Sequence, residues 1–91
     1  MLTVVAYDVP DDRRRLKLAN ALKDFGERVQ FSVFECNVDA QELEHLRRRL
    51  LKLMDLEEDS LRIYGVCAEC KGRIEIHGLG RVTEDPEVYI L

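Results

Sequence analysis

The residues best suited to chemistry lie in the first third of the chain, around one acidic side chain. Asp8 ends a short β-branched run two residues before Pro10, which fixes the turn that follows. The basic run 13–15 comes next, and Arg28 precedes two phenylalanines. A carboxylate near several arginines and aromatic rings is suited to metal-assisted chemistry on a phosphate backbone.

Asp8 has two alternative roles. Mg²⁺ takes one or two protein carboxylates and completes its shell with water and phosphate oxygens. Two copies of Asp8 across a dimer axis would make a reasonable site, whose metal could activate water or neutralise a phosphate. In the other role, Asp8 caps the turn or the helix that follows.

The arginines also have two interpretations each. Arg14 and Arg15 fall in a predicted first helical turn, where positive charge opposes the helix dipole, so they form either a phosphate clamp or a solvated basic face. Arg28 either engages a phosphate or pairs with Glu35. The net charge of −4 favours neither interpretation, because the basic residues are clustered rather than spread.

Three aromatic residues, Tyr7, Phe31 and Phe34, lie on predicted strands. Exposed aromatic rings on a sheet can stack on nucleic-acid bases, whereas buried ones belong to the core. A second basic run, 47–49, is predicted to be the solvated face of a helix, paired with Glu42 and Glu44. Its alternative role is a phosphate-binding edge.

The cysteines carry no assigned function. Their odd number and the lack of a secretory signal argue against a disulfide framework. Cys67 and Cys70 form a single CxxC in a predicted loop, and a structural zinc site needs four ligands. No apolar run reaches the roughly 18 residues of a membrane span, so a cytoplasmic location is expected.

The hydrophobic pattern predicts a single domain over residues 1–91, of α+β class. The predicted elements are a strand at 2–8, a helix capped by Asp11 or Asp12 and closed by Gly26, a strand or hairpin at 28–38 with a slip near Phe34, a helix capped by Asp39, and strands at 60–66, 73–77 and 87–91. Two helices on one face of a mostly antiparallel sheet make a ferredoxin-like βαββαβ fold. The segment 78–91 is expected at a dimer interface, its last strand added to the partner's sheet.

Several segments together resemble a known family. They are 4–9 (VVAYDV), 11–15 (DDRRR), 22–26 (LKDFG), 28–35 (RVQFSVFE), 59–64 (DSLRIY) and 88–91 (VYIL). In order and spacing the chain is identified as a member of the second CRISPR-associated protein family, the small partner of the spacer integrase.

The resemblance implies a ferredoxin-like homodimer whose two Asp8 side chains face each other and bind Mg²⁺ or Mn²⁺. Family members are described as metal-dependent endonucleases acting on single-stranded RNA or duplex DNA, and as bridges between integrase dimers during spacer acquisition. Carried over by position, Asp8 is the metal ligand, and Tyr7, Arg15, Arg28 and Phe34 support it. Arg14 is a contact to the nucleic-acid backbone.

Two functions of different class follow from these observations. One is a nuclease that hydrolyses a phosphodiester at the Asp8 metal, and the other is a non-catalytic scaffold that holds DNA for the integrase. A small-molecule sensor on the same fold is a third interpretation. The Asp8→Ala variant separates the first two, since only the nuclease would lose its activity.

Overall fold

The computed structural model describes residues 1–83. Four strands and three helices lie in this part of the chain: β1 (Leu2–Asp8), α1 (Asp12–Leu22), β2 (Gly26–Gln30), β3 (Val33–Asn37), α2 (Ala40–Leu53), β4 (Ser60–Val66) and the single turn α3 (Ala68–Lys71). The predicted strand at 87–91, and its addition to a partner's sheet, lie outside the described residues. None of the helices in residues 1–83 has the length and apolar character needed to cross a bilayer.

The four strands form one sheet in the order β2-β3-β1-β4, and every neighbouring pair is antiparallel. Val5 on β1 lies opposite Phe34 on β3 and Ile63 on β4, so these side chains share one face of the sheet. That face packs against both long helices in a core whose fully buried members include Val5, Phe34, Leu18, Leu22, Leu46 and Leu50. The predicted ferredoxin-like fold is confirmed.

Both long helices begin at the predicted capping residues. Asp11, rather than Asp12, is the N-cap of α1, and its side chain accepts a hydrogen bond of 2.9 Å from the backbone N–H of Arg14. Asp39 and Glu42 form the predicted capping box at the start of α2.

The prediction that Gly26 closes α1 was wrong, because Gly26 is the first residue of β2. The helix ends at Leu22, and the turn that follows is held by hydrogen bonds such as the one from the Phe25 N–H to the Leu22 carbonyl, 2.9 Å. A Cβ at position 26 would lie 2.1 Å from the backbone oxygen of Glu35 on the neighbouring strand. Glycine is required here by this close approach and not by the helix terminus.

The predicted strand or hairpin at 28–38 is a hairpin. Phe31 and Ser32 form the turn, and Ser32 has a left-handed backbone with a φ of 60°. The irregularity in the pairing lies between Arg28 and Gln30, so the predicted slip near Phe34 was misplaced. The bulge at this edge strand changes the direction of the chain just before the turn.

Two predictions for the region after β4 were wrong. Residues 73–77 alternate in polarity but pair with no strand among residues 1–83 and are irregular, because alternation indicates a strand only where a sheet edge pairs with it. The CxxC segment is the helical turn α3 rather than a loop. Cys67 is its N-cap, and its sulfur accepts a hydrogen bond of 3.4 Å from the Cys70 N–H.

Candidate active site

Asp8 is the last residue of β1, and its side chain is exposed. Successive side chains on a strand point to opposite faces, so Tyr7 points to the helices and Asp8 to the open face of the sheet. Asp11 takes the helix-capping role that was the alternative for Asp8. Within residues 1–83 the Asp8 carboxylate has no hydrogen-bond or ion-pair partner, so it is available to a ligand.

Tyr7 lies on the helix side, 6% exposed, beneath the β2–β3 turn. Its backbone N–H donates to the Ser32 carbonyl at 3.1 Å, and its side chain also hydrogen-bonds to Ser32. Burial raises the pKa of the Tyr7 phenol, although the positive charges of Arg28 and Arg15 and the Ser32 hydrogen bond oppose the shift. The Tyr7 hydroxyl therefore stays protonated at neutral pH and can act as a hydrogen-bond donor.

Arg15 is held over the same region by three contacts. One guanidinium N–H donates to the Val9 carbonyl at 2.8 Å, and another pairs with the Asp12 carboxylate. The guanidinium carbon lies 5.8 Å from the centre of the Phe31 ring, a cation–π geometry. These contacts orient the Arg15 side chain toward the turn.

Tyr7, Arg15 and Arg28 meet at one cavity of about 290 Å³, here called the Tyr7 pocket. Its full lining is Tyr7, Asp12, Arg15, Leu16, Ala19, Arg28, Phe31 and Ser32. Three of the six predicted site residues are thus brought together around a cavity whose lining includes two arginines and the Asp12 carboxylate among mostly apolar and aromatic side chains. Ser32 was not singled out from the sequence, and the turn between two alternating segments was the signal that could have found it.

The remaining predicted site residues lie elsewhere. Phe34 is completely buried under the pocket, with its ring centre 6.4 Å from that of Tyr7. Asp8 does not line the pocket, because it lies on the opposite face of β1. Arg28 does not pair with Glu35, since the Glu35 carboxylate instead accepts a hydrogen bond of 2.7 Å from the Thr83 hydroxyl. No carboxylate within residues 1–83 forms an ion pair with Arg28.

Comparison with known sequences shows which protein family this chain belongs to. The sequence model of the family described as CRISPR associated protein Cas2 matches residues 1–74, well over half of the chain. The chain belongs to the Cas2 family.

Relatives in the Cas2 family match nearly the whole chain. It is 56% identical over 90 residues to the CRISPR-associated endonuclease Cas2 2 of Thermus thermophilus, covering 99% of this chain and 96% of the relative. It is 45% identical to the CRISPR-associated endoribonuclease Cas2 3 of Synechocystis, covering 99% and 98%. A chain in a solved partial Cas6-RT-Cas1–Cas2 complex superposes with a TM-score of 0.66 at 28% identity, covering 82% of this chain and 88% of that one.

Arg14, unlike Arg15, is engaged by two acidic residues of this Cas2-family chain. Its guanidinium forms a bidentate ion pair with the Asp59 carboxylate, with N···O distances of 3.0 and 3.1 Å, and donates a further hydrogen bond of 3.1 Å to the Glu58 carboxylate. The hydrogen bond from Arg14 lowers the pKa of the Asp59 carboxyl, against the opposing effect of burial. The pair ties α1 to the start of β4, and the nucleic-acid contact expected of Arg14 stays a prediction.

The basic run on α2 is a paired surface, as predicted. Arg47 and Arg48 both pair with Glu44, and Arg49 pairs with Asp24 at 2.8 Å. Glu42, the other predicted partner, is instead engaged in the capping box. Arg28 of the Tyr7 pocket differs from the arginines of α2 in having no ion-pair partner within residues 1–83, whereas Arg15 pairs with Asp12.

Proposed function

We propose that this chain is a CRISPR-associated endonuclease of spacer acquisition, which cleaves a phosphodiester with a divalent metal held at Asp8. The observation that carries the proposal is the Asp8 carboxylate, which is exposed at the end of β1 and unpaired within residues 1–83. The endonuclease names of the relatives from Thermus thermophilus and Synechocystis support the reaction class.

The donor set at Asp8 fits a hard cation such as Mg²⁺ or Mn²⁺. A free carboxylate oxygen at an exposed strand end suits an ion that takes one or two protein carboxylates and fills its shell with water and phosphate. Such an ion, when bound, supplies charge neutralisation at the phosphate and an activated water. No cluster of three or more metal-ligating side chains occurs within residues 1–83, so this part of one chain does not by itself surround a metal ion.

The open face of the sheet suits a homodimer that would complete this site. Asp8, Ala6 and Val4 of β1 share this face with Arg62 and Tyr64 of β4, and Tyr64 is 49% exposed. A two-fold axis across this face would bring the same patch of both copies together, including the two Asp8 carboxylates. Two carboxylates brought together in this way would share a divalent cation.

The residues of the Tyr7 pocket would position the nucleic acid. The guanidinium groups of Arg28 and Arg15 bind phosphate oxygens, since a planar cationic donor matches an anionic acceptor. The protonated Tyr7 hydroxyl adds a neutral hydrogen bond. These residues bind and orient the strand while Asp8 holds the metal.

A second candidate function is a non-catalytic scaffold that holds duplex DNA between integrase dimers in the cytoplasm. The likeness to a chain of the Cas6-RT-Cas1–Cas2 complex favours a partner of this kind. A site with one carboxylate per chain also provides few ligands for a catalytic metal, which favours a non-catalytic role.

The test is cleavage of labelled single-stranded RNA and duplex DNA in Mg²⁺ by wild type, Asp8→Asn and the control Glu57→Gln. Both substitutions replace a carboxylate by an amide, but Glu57 lies exposed in the α2–β4 connection. We expect the wild type and the control variant to cleave. Cleavage by Asp8→Asn should fall to the background level that the wild type shows when a chelator removes the metal. If all three proteins show the same background level of cleavage, the nuclease function is refuted. The scaffold function then remains, and it is tested by measuring DNA capture together with the integrase.

A further inference from the structure

Cys67 and Cys70 occupy positions that packing does not explain. Cysteine is among the residue types most often buried, as Cys36 is in the core, yet both of these thiols are exposed and α3 buries no side chain. No third metal-ligating side chain joins them within residues 1–83, whereas a structural zinc site needs four ligands. Neither the core nor a metal held by this part of the chain therefore accounts for the pair.

The backbone of α3 already holds the two cysteines in the arrangement that a disulfide needs. Cys67 is the N-cap, Cys70 is the third residue of the turn, and the Lys71 N–H closes the turn on the Cys67 carbonyl at 2.8 Å. Cα atoms three residues apart in a helical turn are about 5 Å from each other, within the range of about 4.4–6.8 Å that disulfides span. The Cys67 sulfur lies back over the turn, because it accepts the hydrogen bond of 3.4 Å from the Cys70 N–H. A disulfide can therefore form with little movement of the backbone.

The two sulfurs differ in reactivity. The hydrogen bond from the Cys70 backbone N–H lowers the pKa of the Cys67 thiol, whereas the Cys67 sulfur raises the pKa of the Cys70 thiol. The thiolate is the form of cysteine that attacks a disulfide. These contacts suit Cys67 to attack first and Cys70 to follow.

We infer that Cys67 and Cys70 form a redox-active dithiol site whose substrates are small-molecule disulfides. The Cys67 thiolate attacks one sulfur of the small disulfide, which forms a mixed disulfide and releases one small thiolate. The Cys70 thiol then loses its proton to solvent, and its sulfur attacks Cys67 and releases the second small thiolate. In sum, the two protein thiols are oxidised to one disulfide, the small disulfide is reduced to two thiols, and the protons are exchanged through solvent.

The disulfide formed in this way is a reversible one. Exposed disulfides are reduced more readily than structural ones, and a closed loop this short restricts the unfolded chain little. The reaction involves neither Asp8 nor the Tyr7 pocket, so the inference is independent of the proposed function.

The test treats the full chain with glutathione buffers of increasing oxidised fraction, followed by an acid quench, alkylation and mass spectrometry. Wild type loses two hydrogen atoms and keeps one thiol, Cys36, which is alkylated only after unfolding because it is buried. Cys70→Ser instead gains one glutathione at Cys67, since no second sulfur is present to release it. Cys67→Ser gains glutathione more slowly, because the Cys70 thiol lacks the hydrogen bond that favours the Cys67 thiolate.

A pair of variants at Lys71 tests the role of α3. Lys71→Pro removes the N–H that closes the turn and disfavours helical backbone at Cys70, whereas Lys71→Ala keeps both. We expect the equilibrium constant for the internal disulfide to fall at least about 5-fold in Lys71→Pro, which is the factor for ordering the backbone of one residue. Lys71→Ala should match wild type. Circular dichroism checks that both variants stay folded.

Three outcomes would overturn the inference. In the first, wild type stays reduced, or gains glutathione at both exposed cysteines with no internal disulfide, across the whole series of buffers. In the second, Lys71→Pro matches wild type, so that α3 makes no contribution. In the third, freshly purified protein holds stoichiometric zinc through these cysteines. Asp8→Asn should react with glutathione as wild type does, whether or not the chain is a nuclease.

Discussion

Phe34 gives the sharpest test of whether a predicted site residue acts in chemistry or in packing. The resemblance to the family places it beside the metal ligand, yet its side chain is completely buried between the sheet and the helices. We expect Phe34→Leu to keep cleavage and most of the stability, because a smaller apolar side chain still supports the Tyr7 ring 6.4 Å away.

The magnitude follows from the burial. Removing a fully buried phenylalanine ring costs about 3–5 kcal/mol, whereas a hydrophobic swap that conserves most of the volume costs below about 1.5 kcal/mol. In a domain of this size each kcal/mol lowers Tm by about 4–8 °C, so Phe34→Ala loses roughly 12–40 °C and Phe34→Leu less than about 12 °C.

The assay is thermal unfolding by circular dichroism at one fixed protein concentration, followed by cleavage well below the Tm of each variant. Holding the concentration fixed matters because any dimer makes Tm depend on it. A Phe34→Leu protein that is folded and stable but inactive would refute the packing role and place Phe34 in the chemistry. A Phe34→Ala protein as stable as wild type would refute the burial itself.

Three further predictions concern the fold. Gly26→Ala brings a Cβ against the Glu35 backbone and lowers the free energy of unfolding by about 1–3 kcal/mol, as measured by urea titration. An unchanged urea midpoint would contradict the close approach of the two strands. The lowered pKa of Asp59 means that its pairing with Arg14 stabilises the fold above the unfolded pKa of about 3.9 and is lost as pH falls further. The Tm of Asp59→Asn therefore lies below that of wild type at pH 7, and the difference between them shrinks as the pH falls below about 3.9; a constant difference would count against the pair. Burial raises the pKa of Cys36 to about 11, so a thiol reagent at pH 8 modifies the two exposed cysteines and reaches Cys36 only after denaturation, as counted by mass spectrometry.

The sequence predicted elements best where local signals agree with each other. The bounds of β1 and β4 matched, and so did the starts of both long helices, because capping side chains bond to backbone groups three residues away. The predictions for Gly26 and for residues 73–77 were wrong because both structures depend on distant backbone. Gly26 is set by the Glu35 carbonyl of β3, and residues 73–77 find no pairing strand in the part of the chain that the structure describes.

The candidate site likewise has one feature that the sequence predicted and others that depend on the packing of distant elements. The position of Asp8 at the end of a strand could be predicted from the order of the residues, because a β-branched run followed by Pro10 marks both the strand and its end. Three features could not be predicted in this way: Arg15 and Arg28 meet at the Tyr7 pocket, Arg14 pairs with Asp59, and Phe31 is exposed. These outcomes depend on how α1, the β2–β3 turn and β4 pack in space, and packing brings together side chains that no spacing along the chain connects.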